Sequence, residues 1–272
     1  MTAEIVARVL SSSRYRDVDP GLVHRLAEEE GPRSRSQDEA VKRVKRRLHQ
    51  AVGAFAAPAD RTRADPLAAV RAAWRGDMTD PVFRAACAAV LASHASTRER
   101  VPDLERLYDG IWARTGVPLR LADIGCGIAP LALPWMHIGS ATYLASDVDG
   151  RSLEVVRAFF ELVGHPHVVT PLDAVTSAPA EAADVALLLK LVPTLDRQDE
   201  TATRRVVDGL RARQAVVSFP VRSLGGRGKG MERTYRDRVE RLGSESARVR
   251  EIADVSVPSE LAFVLTMEDR GG

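Results

Sequence analysis

The chain contains 272 residues, a length that allows one large domain or two smaller ones. Its 39 Lys and Arg residues against 37 Asp and Glu give a formal net charge of +2, and 45% of the residues are hydrophobic, which excludes a wholly disordered protein. No apolar run approaches the roughly 18 residues of a membrane span. Residues 1–10 also lack the continuous apolar stretch of a secretory signal, so we expect neither membrane insertion nor export.

The two cysteines, Cys87 and Cys126, are too few for a disulfide framework in a chain of this size. No Cys/His spacing indicates zinc, and we expect no metal. Cys87 lies among apolar residues of a predicted helix, which makes it a candidate core residue. A reducing cytoplasm is the expected location.

Residues 1–115 are predicted to be helical. Asp19-Pro20, Asp65-Pro66 and Asp80-Pro81 are typical helix starts, because proline fits the first helical turn and aspartate can cap it. Apolar residues follow each start at helical spacing, and the same pattern covers 101–112.

One of these helices is strongly basic. Over residues 38–56, apolar side chains recur at spacings of 3, 4, 4 and 3, which predicts one packed helix face. Those side chains are Val41, Val44, Leu48, Val52 and Phe55. Cations lie between them, and a basic patch in a near-neutral protein indicates a polyanionic partner. Arg43, Arg46 and Arg47 are the candidate RNA contacts, and the alternative is an ordinary solvated helix face.

From residue 117 onward, short apolar runs alternate with helical patterns, which is typical of an α/β fold with a parallel sheet. Strands are predicted at 119–124, 141–146, 167–171, 185–189, 215–219 and 261–267. Helices are predicted at 152–163, 197–213 and 232–242. We therefore expect a helical domain over 1–115 and an α/β domain over 116–272.

The first predicted strand ends in a glycine turn, Asp123-Ile124-Gly125-Cys126-Gly127. Glycines at such a turn let a ligand approach the backbone closely, and an acid about 20 residues later, here Asp147, can bind a ribose diol. Dinucleotide enzymes need a third glycine where this chain has Pro130, and Asp123 would repel a pyrophosphate. A plain strand–turn–helix connection without a ligand is the simplest alternative.

S-adenosylmethionine suits this turn better, because it carries a sulfonium and an ammonium and no phosphate. The D-x-G-x-G pattern resembles motif I of the class I methyltransferases. Asp147 would then hold the ribose, and Asp173, with Ala174 beside it, would lie near the adenine amino group.

The segment after the fourth predicted strand, Leu189 to Gln198, should face the transferred methyl group, because ligands bind beyond the carboxyl ends of parallel strands. It lacks the Asn/Asp-Pro-Pro-Tyr/Phe motif of amino-group methyltransferases. A nitrogen with a free lone pair, such as guanine N7, is a suitable acceptor that needs no general base, only positioning. Lys190 could contact an RNA phosphate or the base, or could be a strand-end lysine that reaches solvent.

Two further segments leave alternatives open. The segment His94-Ala95-Ser96-Thr97-Arg98-Glu99-Arg100 contains a possible capping box, Ser96 to Glu99, but its basic residues could also close over the cofactor carboxylate. The glycine-rich segment 223–231 does not have Walker A spacing. Its Arg227 and Lys229 would suit an RNA backbone, and the alternative is an ordinary surface loop.

Together, four segments resemble the aminoglycoside-resistance 16S ribosomal RNA methyltransferases that modify N7 of guanine 1405 in the decoding site. They are 94–100, 123–130, Lys190-Leu191-Val192-Pro193 with Gln198, and 223–231. The resemblance spans nearly the whole chain, and the first and last segments are unusual outside that family. It implies a class I methyltransferase fold, Rossmann-like with a mostly parallel seven-stranded sheet, and an all-helical N-terminal domain.

The resemblance also implies roles for single residues. The cofactor S-adenosylmethionine would be bound by Phe55, His94, Ala95, Ser96, Arg100, Gly125, Asp147, Asp173, Ala174, Leu189 and Gln198, with Arg100 on its carboxylate. Lys190, Asp196 and Arg227 match positions that the family needs for target recognition or catalysis. Asp196 departs from the pattern, because a glutamate is common there.

The implied substrate is the assembled 30S subunit, which the enzyme would bind by reading RNA shape and phosphates. The sequence does not indicate an oligomeric state, and a monomer is the default expectation. The target guanine would be flipped out of its stack. A methyl group at N7 adds a positive charge, which would repel a polycationic aminoglycoside. A small-molecule methyltransferase with a helical lid is the alternative, and a non-enzymatic ribosome-binding protein is a second.

Overall fold

A computed structural model describes residues 1–53, 65–221 and 231–268. Its centre is a seven-stranded sheet in the order β3-β2-β1-β4-β5-β7-β6, in which β1 to β5 are parallel and β7 is antiparallel to both its neighbours. The strands are β1 (Arg120–Ile124), β2 (Thr142–Asp147), β3 (His167–Pro171), β4 (Ala183–Leu188), β5 (Ala212–Pro220), β6 (Val249–Asp254) and β7 (Glu260–Met267). The predicted mostly parallel seven-stranded sheet is confirmed.

Most helices of the described chain precede the sheet or connect its strands. Before β1 come α1 (Thr2–Leu10), α2 (Pro20–Glu30), α3 (Gln37–Leu48), α4 (Ala68–Ala73), α5 (Pro81–Ser93), α6 (Ala95–Arg98) and α7 (Leu104–Thr115). After it come α8 (Gly150–Val163), α9 (Val192–Asp196), α10 (Ala202–Gly209) and α11 (Met231–Glu245). The caps at two predicted helix starts are confirmed, because the Asp19 carboxylate accepts from Leu22 N and that of Asp80 from Val82 N and Phe83 N.

The helices before the sheet belong to two different hydrophobic clusters. Helices α1 to α3 form a small bundle, which we call the N-terminal bundle, with its own core around Ile5, Leu26 and Leu48. Helices α4, α5 and α7 instead pack into the core that covers one face of the sheet, where Cys87 is fully buried, as the sequence predicted. The boundary predicted at residue 115 therefore does not coincide with the division between the clusters, which falls between residues 48 and 67.

The N-terminal bundle docks onto the start of α8. Gly150 N donates to Asp17 O at 2.8 Å, and Arg151 Nε donates to the Asp17 carboxylate at 2.6 Å. A Cβ on Gly150 would lie 2.3 Å from the Asp17 oxygen, so only glycine permits this approach. The contact places the bundle beside the carboxyl end of β2.

One prediction about local structure was wrong, and two features were not predicted. Residues 197–213 do not form one helix, because the chain turns after α9, forms α10 and enters β5 at Ala212. The helix that follows the glycine turn, Ala129–Trp135, is a 3-10 helix, a type that the sequence pattern did not specify, and its two prolines lack the N–H groups of a regular helix. Strand β6 was not predicted at all.

Two further findings concern the helix predicted over 38–56 and the membrane-spanning potential of the helices. The helix predicted over 38–56 continues beyond α3 as a π-helical turn, His49–Gly53, and its last residues lie outside the described chain. Within 1–53, 65–221 and 231–268, no helix has the length and apolar character to cross a membrane.

Candidate active site

A cleft with about 980 Å³ of empty space, including its open mouth, lies at the carboxyl ends of the parallel strands. Residues that follow β1, β2, β3 and β4 line it, and residues between α5 and α7 form another side. Leu22 and Ala51 of the helices before the sheet also line it. Its size and its place at the strand ends are those of a small-molecule site in an open α/β sheet.

The glycine turn after β1 forms one edge of the cleft. Gly125 and Gly127 both have left-handed backbone, with φ of 64° and 50°. This conformation costs other residues free energy, which explains why glycines stand here. The turn is fixed to β2, because Cys126 N donates to Ser146 O at 3.0 Å and Gly127 N to Asp147 Oδ2 at 2.8 Å.

Asp147 holds its carboxylate at the end of β2, where it lines the cleft. Its Oδ1 accepts from Asp149 N at 2.9 Å, and burial raises its pKa to about 6 although backbone N–H groups oppose the shift. Asp123 lies behind the cleft, where its Oδ2 accepts from the Tyr143 hydroxyl at 2.7 Å. Burial raises the pKa of Asp123 to about 6 as well.

Asp173 and Gln198 are joined by an arginine from the N-terminal bundle. Arg25 Nε donates to Asp173 Oδ2 at 2.7 Å, and its NH2 donates to Gln198 Oε1 at 3.1 Å. Asp173 Oδ1 also accepts from Val175 N at 3.0 Å. Sequence reasoning missed Arg25, which is more than 140 residues away from both partners in the chain.

The segment between α5 and α7 brings His94, Ser96 and Arg100 to the cleft, whereas Ala95 does not line it. The predicted capping box is wrong, because α6 begins after His94 and the Glu99 carboxylate lies 3.0 Å from Lys190 Nζ. Arg100 is buried and paired with Glu260, a residue on β7 that sequence reasoning did not find.

Lys190 lies directly after β4 with a φ of 58°, an unusual backbone for a residue with a side chain. Its N–H donates to the Ser218 hydroxyl at 2.9 Å, and its Nζ lies between the carboxylates of Glu99 and Glu260 at 3.0 and 3.6 Å. The side chain is only 7% exposed. The alternative of a strand-end lysine that reaches solvent is therefore excluded, and Lys190 lines the cleft.

Asp196 does not line the cleft. Its carboxylate accepts from Arg238 Nε at 2.7 Å and from the Thr203 hydroxyl at 2.6 Å, which ties α9 to α10 and α11. The assignment of Asp196 to target positioning stays a prediction, and these contacts place its carboxylate among neighbouring helices rather than in the cleft. Arg227, like Lys229 and Phe55, lies outside the described residues.

Two of the three predicted RNA-contact arginines are held by acids of α2. Arg43 Nε donates to Glu30 at 2.6 Å, and Arg47 donates to both Glu30 and Glu29. Arg46 is exposed, as is Lys42 on the same helix. The sequence pattern could not reveal the pairing, because it depends on how α2 and α3 pack.

Most of the predicted cofactor residues come together in the cleft. They are His94, Ser96, Arg100, Gly125, Asp147, Asp173, Ala174, Leu189 and Gln198. Sequence reasoning missed other lining residues, among them Leu22, Ala51, Val148, Asp149, Ser152, Leu172, Val175, Leu191, Thr194 and Leu195. The apolar members were missed because an apolar residue that lines a cleft has the same sequence pattern as one buried in the core.

The chemistry of the cleft fits S-adenosylmethionine. Asp147, Asp149 and Asp173 place carboxylates along it, which would repel a pyrophosphate and attract a sulfonium or an ammonium. At the glycine turn, a Cβ on Gly125 would lie 2.6 Å from Leu191 Cδ1, whereas a Cβ on Gly127 would meet nothing within 4 Å and would occupy open space. Apolar side chains beside these acids, such as Leu172, suit a purine ring.

Comparisons with a family model and with curated proteins both match this chain to ribosomal RNA methyltransferases. A family model described as "Ribosomal RNA methyltransferase (FmrO)" matches residues 11–264. The chain is 39% identical over 265 residues to a 16S rRNA (guanine(1405)-N(7))-methyltransferase of Frankia casuarinae, covering 96% of this chain and 91% of that protein. It is 36% identical over 260 residues to the Micromonospora rosea enzyme of the same name, covering 94% and 93%.

Solved structures of similar proteins share the fold along the whole chain. The 16S rRNA methyltransferase RmtF, crystallised with S-adenosyl-L-homocysteine, is 32% identical with a TM-score of 0.77, and 98% of each chain is covered. The 16S rRNA methylase RmtB is 27% identical with a TM-score of 0.78, covering 98% of this chain and 99% of that one. With its sheet topology, its cleft and these matches, the chain belongs to the FmrO family of ribosomal RNA methyltransferases.

Proposed function

We propose that this enzyme transfers a methyl group from S-adenosylmethionine to N7 of guanine 1405 in the 16S rRNA of the 30S subunit. The observation that carries the proposal is the 39% identity, over 96% of the chain, to an enzyme named for that reaction. The cleft supports it, because its acidic, glycine-edged lining suits a cationic ligand without phosphate. A charge added at N7 weakens the binding of cationic aminoglycosides, so the reaction confers resistance to that class.

The cofactor would lie along the glycine turn. Asp147 accepts from the ribose hydroxyls, and Asp173 with Ala174 lies beside the adenine. Arg100 binds the carboxylate, and His94, Ser96, Leu189 and Gln198 complete the lining. When bound, S-adenosylmethionine supplies a methyl group on a sulfonium, which is activated for displacement.

The chain's own residues position the acceptor rather than deprotonate it. N7 of guanine carries a lone pair and no proton, so no general base is required. Lys190 is held inside the cleft by Glu99 and Glu260, a position from which it contacts the flipped base rather than an exposed phosphate. Asp196 acts indirectly, because its bonds to Arg238 fix the helix that follows the segment containing Arg227 and Lys229.

Exposed cations bind the RNA backbone. Arg46 and Lys42 remain available on α3, whereas Arg43 and Arg47 stabilise the N-terminal bundle through Glu29 and Glu30. Such contacts neutralise phosphates, so binding to 30S subunits weakens steeply with salt. The enzyme acts on ribosomal subunits as a monomer in the cytoplasm.

Transfer of a tritiated methyl group to 30S subunits, naked 16S rRNA and a small-molecule extract tests the proposal. We expect label on 30S subunits, and mapping of the modified nucleotide should place it at N7 of guanine 1405. Label on another nucleotide would contradict the assigned target. Label in the extract and not on RNA would replace the proposal with a small-molecule methyltransferase.

The cofactor affinity should depend on pH. The pKa of Asp147 is raised to about 6, so this carboxyl is protonated below that pH, and the oxygen that takes up the proton becomes a donor instead of an acceptor for a ribose hydroxyl. Affinity for S-adenosylhomocysteine should rise as the pH increases through 6, by about tenfold between pH 5 and 7. Calorimetric titrations across this range measure it, and a profile that Asp147→Asn leaves unchanged would exclude Asp147 as its source.

The N-terminal bundle should contribute to cofactor affinity through Arg25. Replacing it in Arg25→Met leaves Asp173 and Gln198 without their shared partner, so we expect the dissociation constant of S-adenosylhomocysteine to rise about fivefold, as for one lost charge-assisted bond. Arg151→Met is the matched control, because the Arg151 side chain pairs with Asp17 at the same docking surface but bonds to no residue assigned to the cofactor. Equal changes in both variants would assign the effect to docking alone.

A further inference from the structure

A buried carboxylate lies behind the cleft where the chain enters β7. Glu260 has no exposed surface, and it is surrounded by Arg100, Lys190 and Ser218, which are also buried. Arg100 and Lys190 line the cleft, whereas Glu260 does not. Glu260 can therefore act on a ligand only through these neighbours.

The Glu260 carboxylate and the Arg100 guanidinium form a pair of parallel hydrogen bonds. Arg100 Nε donates to Oε2 at 2.7 Å and NH2 donates to Oε1 at 2.8 Å, so the guanidinium is bound in bidentate fashion. The Ser218 hydroxyl also donates to Oε1, and Lys190 Nζ lies 3.6 Å from Oε2. These contacts fix the carboxylate and, through it, the plane of the guanidinium.

The positive charges of Arg100 and Lys190 keep the buried Glu260 carboxylate ionised. Burial opposes the ionisation of Glu260, but Arg100 and Lys190 outweigh it and hold the pKa of Glu260 below its usual value. Glu260 uses two of the five N–H groups of Arg100. The remaining N–H groups belong to a guanidinium that lines the cleft and has lost most of its rotational freedom.

We propose that Glu260 is a positioning residue that presents Arg100 to the carboxylate of the methionine portion of the cofactor. The inference rests on the proposed function, because it takes S-adenosylmethionine as the ligand. Glu260 sets cofactor affinity without touching the cofactor, and the effect is limited to ligands that carry the amino-acid carboxylate.

Two ligands separate this role from a general structural one. S-adenosylhomocysteine carries the carboxylate, and 5′-methylthioadenosine has the same nucleoside and thioether sulfur but lacks the amino-acid portion, both its carboxylate and its ammonium. In Glu260→Gln, the negative charge is removed at nearly constant shape, and we expect the affinity for S-adenosylhomocysteine to fall about tenfold, as for a lost charge-assisted contact. Affinity for 5′-methylthioadenosine should stay within about twofold of the wild type. Equal losses for both ligands, or no loss for either, would overturn the proposal.

Two further variants complete the calorimetric test. Glu260→Asp keeps the charge that neutralises Arg100 but withdraws the carboxylate by one methylene, so it protects the fold and should show the same ligand selectivity. Glu251→Gln is the matched control, because Glu251 is an exposed acid on the neighbouring strand β6, and it should change neither affinity.

A double-mutant cycle tests whether the effect passes through Arg100. In an Arg100→Met background, Glu260→Gln should cause no further loss of S-adenosylhomocysteine affinity, whereas additive losses would show that Glu260 acts by another route. The outcome is independent of the RNA target. Additive losses in an enzyme that still methylates guanine 1405 would contradict only the inference about Glu260. A wild-type enzyme that does not methylate guanine 1405 would contradict only the proposed function.

Discussion

Replacement of Gly125 by alanine is expected to be the most damaging one-carbon change in the cleft. The left-handed backbone at φ 64° costs an alanine about 1–2 kcal/mol. The new Cβ would also lie 2.6 Å from Leu191 Cδ1, and overpacking of this kind costs about 1–3 kcal/mol. Leu191 can yield only by moving within the lining of the cleft, so the variant should lose both stability and cofactor binding. Thermal denaturation and calorimetry with S-adenosylhomocysteine measure the two losses.

Gly127→Ala is the matched control for this substitution. Gly127 has a similar φ of 50°, but a Cβ there would meet nothing within 4 Å. In thermal denaturation it should therefore show the backbone cost alone, about 1–2 kcal/mol. If the two alanine variants lost stability equally, contact with Leu191 would not contribute to the loss.

The glycine turn illustrates which part of the site could be predicted from the sequence. Buried parallel strands are short apolar runs, so β1, β2 and β4 were recognisable, and the residues that follow such strands meet at one edge of the sheet. Gly125, Asp147 and Asp173 lie there as expected. The resemblance to a known family added residues 94–100, which no strand pattern could have placed at the cleft.

The partners of these residues could not be predicted, because they come from distant parts of the chain. Arg25 lies 148 residues before Asp173, and Glu260 lies 160 residues after Arg100. Each contact depends on tertiary packing, and neither residue stands in a motif. Strand β6 was missed for a related reason, because an exposed edge strand has no clear alternation of apolar and polar residues.

The sequence pattern of the basic helix α3 predicted its buried face correctly but assigned too many of its arginines to RNA binding. Its predicted apolar stripe is buried, with Val41, Val44 and Leu48 in the core of the N-terminal bundle. Its cations, however, divide into those that pair with α2 and those that remain exposed. A charge count cannot distinguish the two groups, since the distinction depends on where Glu29 and Glu30 lie.

Arg100→Met should cause the largest loss of stability among substitutions at the cleft. It leaves Glu260, which has no exposed surface, without its bidentate partner, and breaking a buried pair in this way costs about 3–5 kcal/mol. Lys190 compensates only in part, because its Nζ is 3.6 Å from Glu260 and is closer to Glu99. Urea denaturation at pH 7 measures the loss. The exposed Arg98, changed to Met, is the control and should alter stability by about 0.5 kcal/mol or less.

The pH dependence of this loss, measured with and without Glu260, tests whether Glu260 is its source, because Arg100 also lowers the pKa of the buried Asp123. In the wild type the pKa of Glu260 is lowered, so its contribution to stability is present above its unfolded pKa and disappears as the pH falls through the folded pKa. Without Arg100, burial instead raises the pKa of Glu260 in the folded variant. Between pH 5 and pH 7, Glu260 is then more protonated in the folded variant than in the unfolded chain, so the folded variant gains stability as the pH falls. The stability difference between wild type and Arg100→Met should therefore shrink from pH 7 to pH 5, and Arg100→Met/Glu260→Gln should recover part of it at pH 7. A difference that is constant across this range would show that lost packing, rather than an unpaired carboxylate, destabilises the variant.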